Sequence, residues 1–296
     1  MSTPTAQPRI LFVTPEVTFI PNSSEHMIRY MVADSGRFAD SMAALIVALY
    51  DLGVDVHVAQ PDYRQIFKTS LQENQDKKAK KMPAERVHLT EDRVFFYSRD
   101  PDLNYEWENV KISLAFQREV INQIIPRVQP DLIHCHDWMT GLIPSMAKKM
   151  DIPCLFTVHN SHSAKSYLSY IEDMGIDAAA FWQYLFYDRY PANYEETRET
   201  NPVNFLLSGI LAAPAVTIAC FASLMKREQN QNPSVELPRS MILADKLIKD
   251  YASIQNTQLL KVQHYVETYE RMLQRPIINI NMKNHKSHSI NARIAA

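Results

Sequence analysis

Short apolar runs alternate with stretches of helical periodicity over roughly the first two thirds of the chain. Arg9–Val13 (RILFV) has strand length and closes at Thr14-Pro15, a pair that breaks regular structure. Within Ser41–Leu52, Ala44, Leu45, Ala48 and Leu49 recur at the spacing of one helix face, and Gly53 stands where a C-terminal cap belongs. Val54–Ala59 (VDVHVA) alternates as a strand does, and Pro61 stops it. Strand, helix and strand in that order imply parallel pairing through a right-handed crossover. The alternation continues along the chain. Val94–Tyr97 reads as a strand, and Ile112, Phe116, Val120 and Ile124 trace a helix face ended near Pro126 and Pro130. Asp131–Cys135 (DLIHC) is a strand, Gly141–Lys149 a helix, and Cys154–Val158 (CLFTV) and Ala215–Cys220 (AVTIAC) are strands. The expected fold class is α/β: a Rossmann-like, doubly wound, mostly parallel sheet.

Beyond that point the strand signals stop. Residues 226–240 have the composition of a linker, residues 241–276 read as helix, and residues 277–296 lack a periodic apolar face and read as a disordered tail. The polar stretch 71–86 carries the run Lys77–Lys81 (KKAKK), read as a solvated surface in preference to an anion patch because it is so short.

Composition narrows the function. Hydrophobic residues make up 46% and charged residues 22% of 296, enough to build a core. A net charge of −2 lacks the basic face expected of a nucleic-acid partner. No apolar run reaches the roughly 20 residues of a membrane span, and the N-terminus has no signal pattern; a cytoplasmic protein is expected. Cys135, Cys154 and Cys220 each sit in an apolar run, which fits a reducing compartment. The 5 glycines leave few places where backbone can approach a phosphate closely.

Candidate chemistry gathers at two strand ends, where ligands of open α/β sheets bind. The first is His134-Cys135-His136-Asp137-Trp138; in a strand running to Asp137, His134 and His136 share one face and Cys135 takes the other. The second is Thr157-Val158-His159-Asn160, with His162 following. Adjacent strands would bring His136, Asp137 and His159 to one open crevice. A metal-dependent hydrolase built on His134, His136 and Asp137 is an alternative reading of the same residues. It lacks further ligands on the last strand, so no metal is expected.

"ILFVTPEV" at the start, "PDLIHCHDWMTGLIP" at 130–144, "LFTVHN" at 155–160, "NYEETRETNP" at 193–202 and "NPVNFLLSGILAA" at 201–213 resemble the bacterial glycogen/starch synthases. The resemblance covers residues 8–225 and implies half of the two-domain GT-B fold, the half that holds the α-1,4-glucan. It implies retaining transfer of glucose from ADP-glucose or UDP-glucose. In the family the other domain holds most of the nucleotide sugar, and no segment here resembles it; "YVETYERMLQRP" within 241–276 resembles the helix that crosses back onto the first domain. His159 and Asp137 fall on the family's catalytic positions, and His136, Trp138 and Asn160 on substrate-binding ones. The family's Lys-x-Gly-Gly-Leu-Ala-Asp reads Asp34-Ser35-Gly36-Arg37-Phe38-Ala39-Asp40 here. Asp34 replaces the lysine that faces the donor diphosphate, and a unit-charge pair at about 4 Å and an effective dielectric of about 20 interacts by about 4 kcal/mol. Arg37 replaces the second glycine. The implied protein is a synthase-like pseudoenzyme that holds glucan weakly, with a glycogen-metabolism enzyme as a second partner. An alternative is an active half completed by a partner chain. No cofactor and no nucleic-acid or membrane partner is expected.

Overall fold

The structure is a computed structural model that describes residues 8–15, 36–62, 82–97, 106–159, 162–218 and 268–272. Asp34, Asn160, the Lys77–Lys81 run, Cys220, the 226–240 linker, the 277–296 tail and all but five residues of the expected 241–276 helix lie outside the described residues.

Among the described residues eight strands follow in chain order: β1 (Arg9–Val13), β2 (Asp55–Pro61), β3 (Val87–Thr90), β4 (Leu132–His136), β5 (Cys154–Val158), β6 (Lys165–Ser166), β7 (Val203–Asn204) and β8 (Ala215–Ile218). Six of them form one parallel sheet in the order β3-β2-β1-β4-β5-β8, and β6 and β7 make a small antiparallel ribbon. This is the Rossmann order, and its winding reverses between β1 and β4. The helices are α1 (Gly36–Asp51), α2 (Arg93–Tyr97), α3 (Glu106–Glu119), α4 (Ile125–Val128), α5 (Ile143–Lys149), α6 (Leu168–Asp173), α7 (Tyr194–Thr200) and α8 (Phe205–Ala212).

The sheet is buried on both faces, as parallel sheets are. Strand alternation sends Ile10, Phe12, Leu132 and Leu155 to one face, where Met42, Leu45, Ile46 and Leu49 of α1 cover them. Leu11, Val13, Ile133, Cys135, Phe156 and Val158 go to the other, under α3, α5 and α8. The four buried α1 residues follow the i, i+3, i+4, i+7 stripe of an amphipathic helix. Gly53, at φ 82°, closes the turn after α1 as expected.

Local chemistry explains where the expected elements shift. Val94–Tyr97 is not a strand: it lies in α2, and the strand is Val87–Thr90 just before it. Asp92 accepts the Val94 N–H at 2.9 Å and so caps the helix start, while Phe95 enters the core. Capping and packing override the strand preference of a Val-Phe-Phe run. The helix ended by Pro126 is really three pieces. Pro126 has no N–H for the carbonyl four residues back, and the chain opens into a π turn over Val120–Ile124 before α4 resumes. Gln129 in the left-handed region ends it. The helix expected from Gly141 starts at Ile143, after a 3₁₀ turn at Trp138–Thr140.

Two glycines permit close approaches that fix the layers. A Cβ on Gly141 would overlap the backbone carbonyl of Phe205, and one on Gly209 would lie 2.5 Å from the Phe156 ring. Gly209 is inside α8, where alanine would otherwise favour the helix by about 1 kcal/mol. Gly209→Ala and Gly141→Ala are each expected to destabilise the protein by about 1–3 kcal/mol, with Gly141→Ala the worse because rigid backbone blocks it. Urea unfolding midpoints check this; an unchanged or raised midpoint for Gly209→Ala would show that α8 does not press on β5.

Candidate functional site at the switch point

The reversal of winding places the carboxyl ends of β1, β4 and β5 together. His134 and His136 share a face of β4, and Cys135 points to the opposite core, with its Sγ 3.9 Å from that of Cys154. Both histidines are fully buried. The Phe12 ring, opposite His134 in the β1–β4 register, stacks on His136 at 4.5 Å and meets His134 edge-on at 4.6 Å.

His134 is a structural bridge. Its Nε2 lies 2.7 Å from Thr157 Oγ1 on β5, which in turn lies 2.6 Å from Thr217 Oγ1 on β8. Its Nδ1 lies 2.5 Å from the hydroxyl of Tyr269. Thr268–Met272 is helical, Tyr269 is fully buried and Met272 packs against the same cluster. The C-terminal segment therefore reaches the sheet through residues 268–272 of the expected 241–276 helix. Both ring nitrogens of His134 face hydroxyls at hydrogen-bond distance, which counts against its use as a metal ligand in the hydrolase reading of this trio. Among the described residues, no three His, Cys, Asp or Glu side chains gather to hold an ion.

His136 turns toward β5 instead, with its Nδ1 3.1 Å from His159 Nε2. β4 ends at His136 rather than Asp137. Asp137 has φ 59° and ψ 177°, a region almost reserved for glycine that costs on the order of 1–3 kcal/mol. Its surroundings hold it there. Its N–H donates to the Thr157 carbonyl at 2.9 Å, and its own carbonyl accepts from the Thr140 N–H and hydroxyl, both at 3.0 Å. Its carboxylate accepts the His159 backbone N–H at 2.7 Å. The bend thus joins Asp137 to His159 across two strands.

His136, Asp137 and His159 come together as expected, but not as the lining of an open crevice. His136 is fully covered and Asp137 only 5% exposed, which leaves the partly exposed His159 as the most accessible of the three. Trp138 is 6% exposed, edge-on to His162 at 5.3 Å and stacked near Phe205 at 6.4 Å, so it packs the wall of the site. Gly36 and Arg37 open α1. Nothing in the sequence points to Thr217 or Thr140; Thr157 opens the second candidate strand end and falls opposite His136 when the two strands are aligned in parallel, and Tyr269 lies within the expected 241–276 helix.

A doubly wound α/β domain with a histidine–carboxylate cluster at its switch point is the class this geometry defines. Residues 9–219, well over half of the chain, match the starch synthase catalytic domain, and the chain belongs to that family. It is 30% identical over 158 residues to the glycogen synthase of Geobacillus thermodenitrificans, covering 43% of this chain and 31% of that protein. It is 31% identical over 176 residues to the glycogen synthase of Moorella thermoacetica (51% and 33%) and 28% identical over 220 residues to glycogen synthase 2 of Geobacter metallireducens (63% and 42%). The chain spans about a third of the length of the first curated relatives it matches. Among the described residues no helix is long and apolar enough to cross a membrane.

Burial holds the imidazoles of His134 and His136 neutral, well below the ordinary histidine range, and neighbouring imidazoles add to this. His88 is pushed down to about 4 by burial, with His57 and Arg127 adding repulsion. Their folded values lie below the unfolded value of about 6.5, so the unfolded chain takes up protons first as pH falls. Stability should be level above about pH 7 and decline below about 6.5, each histidine contributing up to about 1.4 kcal/mol per pH unit until its folded form protonates. Urea midpoints between pH 8 and 5 measure this; a flat profile would show that these rings are solvated.

Proposed function

We propose that this chain is the glucan-side half of a glycogen/starch-synthase-type glucosyltransferase, and that the 296 residues on their own bind α-1,4-glucan weakly without transferring glucose. The observation that carries the reading is the joined His136–Asp137–His159 cluster at the switch point, on the family's His-Asp-Trp and Val-His-Asn positions. In that role His159 and Asp137 take the sugar's hydroxyls, and His136 orients His159 from beneath. Trp138 supports the wall.

Two features favour loss of transfer by this chain alone. Asp34 stands where the family has the lysine that meets the donor diphosphate, and Arg37 replaces a glycine beside Gly36. A carboxylate there repels phosphate where an ammonium would attract it. The match to the starch synthase catalytic domain covers residues 9–219, and these 296 residues span about a third of the length of the first relatives matched. Tyr269, seated on the sheet, is consistent with a C-terminal helix that crosses back onto this domain. A glycogen-metabolism enzyme that supplies a donor-side domain is the partner this arrangement would suit.

Labelled ADP-glucose or UDP-glucose and a glycogen primer should give no incorporation above a His159→Ala control, and Asp34→Lys should not restore it. Calorimetry should find maltooligosaccharides binding in the millimolar range, more tightly as the chain lengthens and touches several spots at once, with no heat from ADP-glucose. Turnover by the pure chain, or tight ADP-glucose binding, would refute the donor-loss reading. Absence of any glucan binding would refute the glucan-side reading.

A further inference from the structure

At the opposite edge of the sheet, where β1, β2 and β3 begin, lies a cavity of about 550 Å³ lined by Arg9, His57, Glu85, His88 and Arg127 among others. A volume of this order suits a small-molecule ligand. The hydrogen-bond order there can be deduced. An arginine only donates, so Arg127 Nη2, 3.1 Å from His88 Nδ1, makes that nitrogen an acceptor. His88 must then carry its proton on Nε2 and donate it to His57 Nδ1, 2.9 Å away. His57 in turn carries its proton on Nε2, which faces Asp55 Oδ1 at 3.6 Å.

Asp55 is occupied from its other sides by Arg9 Nε at 3.2 Å and Arg86 Nη2 at 3.1 Å. Arg9 spends a second nitrogen, Nη1, on the Val128 carbonyl at 2.6 Å, which leaves Nη2. Arg127 has no carboxylate partner among the described residues, and Nε and Nη1 remain beyond its one bond to His88. Two guanidinium groups with uncommitted donors, held in place by a directional histidine chain, therefore line one small cavity. Glu85 is exposed; its carboxylate opposes a bare anion but accepts hydrogen bonds from hydroxyls.

We propose that this cavity is a second ligand site, which takes a hydroxylated phosphate monoester with its phosphate on Arg127 and Arg9 and its hydroxyls toward Glu85. Planar guanidinium forks match phosphate oxygens. The site lies at the sheet edge opposite the switch point and stands independently of the glucan reading.

Calorimetry on the full chain with glycerol 3-phosphate, inorganic phosphate, glycerol and acetate tests it. Glycerol 3-phosphate should bind in the millimolar range or tighter, ahead of inorganic phosphate, with glycerol and acetate silent. Arg127→Gln, at an exposed position, should weaken glycerol 3-phosphate by about tenfold or more. In the unmutated chain the ester should slow hydrogen exchange over residues 84–89 and 125–129. Silence of glycerol 3-phosphate, equal binding of acetate, or full affinity in Arg127→Gln would overturn the proposal, as would protection confined to other segments.

Discussion

A buried imidazole nitrogen without a partner is costly, and at His134 the pairing of both nitrogens ties the sheet together. A buried donor or acceptor left without its partner costs about 1–3 kcal/mol. His134 avoids this by reaching Thr157 on β5 and Tyr269 from the C-terminal segment, while Thr157 passes the chain on to Thr217 of β8. Elsewhere the interior of the sheet is largely aliphatic and aromatic. Aliphatic contacts tolerate several alignments; a hydrogen-bonded imidazole tolerates few. A slip of β4 by one residue would bring Cys135 to this face and send both histidines into the opposite core. The polar chain thus specifies a register that hydrophobic burial alone leaves looser.

The site grows out of the same constraint. Alternation places His136 on the His134 face, one pair further along β4 and at the reversal of winding. Asp137 then breaks the strand in a conformation that is unfavourable by itself. Its bonds to Thr157, Thr140 and His159 hold it and aim His159 at the sheet edge. Neutral, desolvated imidazoles beneath a carboxylate-anchored loop make a wall suited to neutral hydroxyl groups, which is the chemistry a glucan presents. The positive edge at β1–β3 differs in kind: its guanidinium groups keep donors that the fold does not consume.

Much of this was legible in the residues. The βαβ rhythm, the α/β class and the shared face of His134 and His136 follow from periods of 2 and 3.6 alone. The convergence of His136, Asp137 and His159 follows from parallel pairing of adjacent strands. Where the reading failed, a nonlocal or capping interaction had decided the outcome. Val94–Tyr97 looks like a strand until Asp92 caps it and Phe95 finds the core. The bend at Asp137 has no signal in a residue that is not glycine. Tyr269 is one residue within the expected 241–276 helix; its hydroxyl matters only because His134, 135 residues earlier, lies beneath it.

The C-terminal segment and the sheet are coupled through His134, and a double-mutant cycle measures that coupling most directly. Tyr269→Phe and Thr157→Val each strip one hydroxyl from the ring, singly and together, with unfolding free energies taken from urea titrations. Because both hydroxyls satisfy one imidazole, the two losses should be non-additive, with a coupling energy of about 0.5–3 kcal/mol. Losses that sum to within about 0.3–0.5 kcal/mol would contradict the account: the two contacts would be independent, and His134 would not be the joint between the sheet and the chain's end.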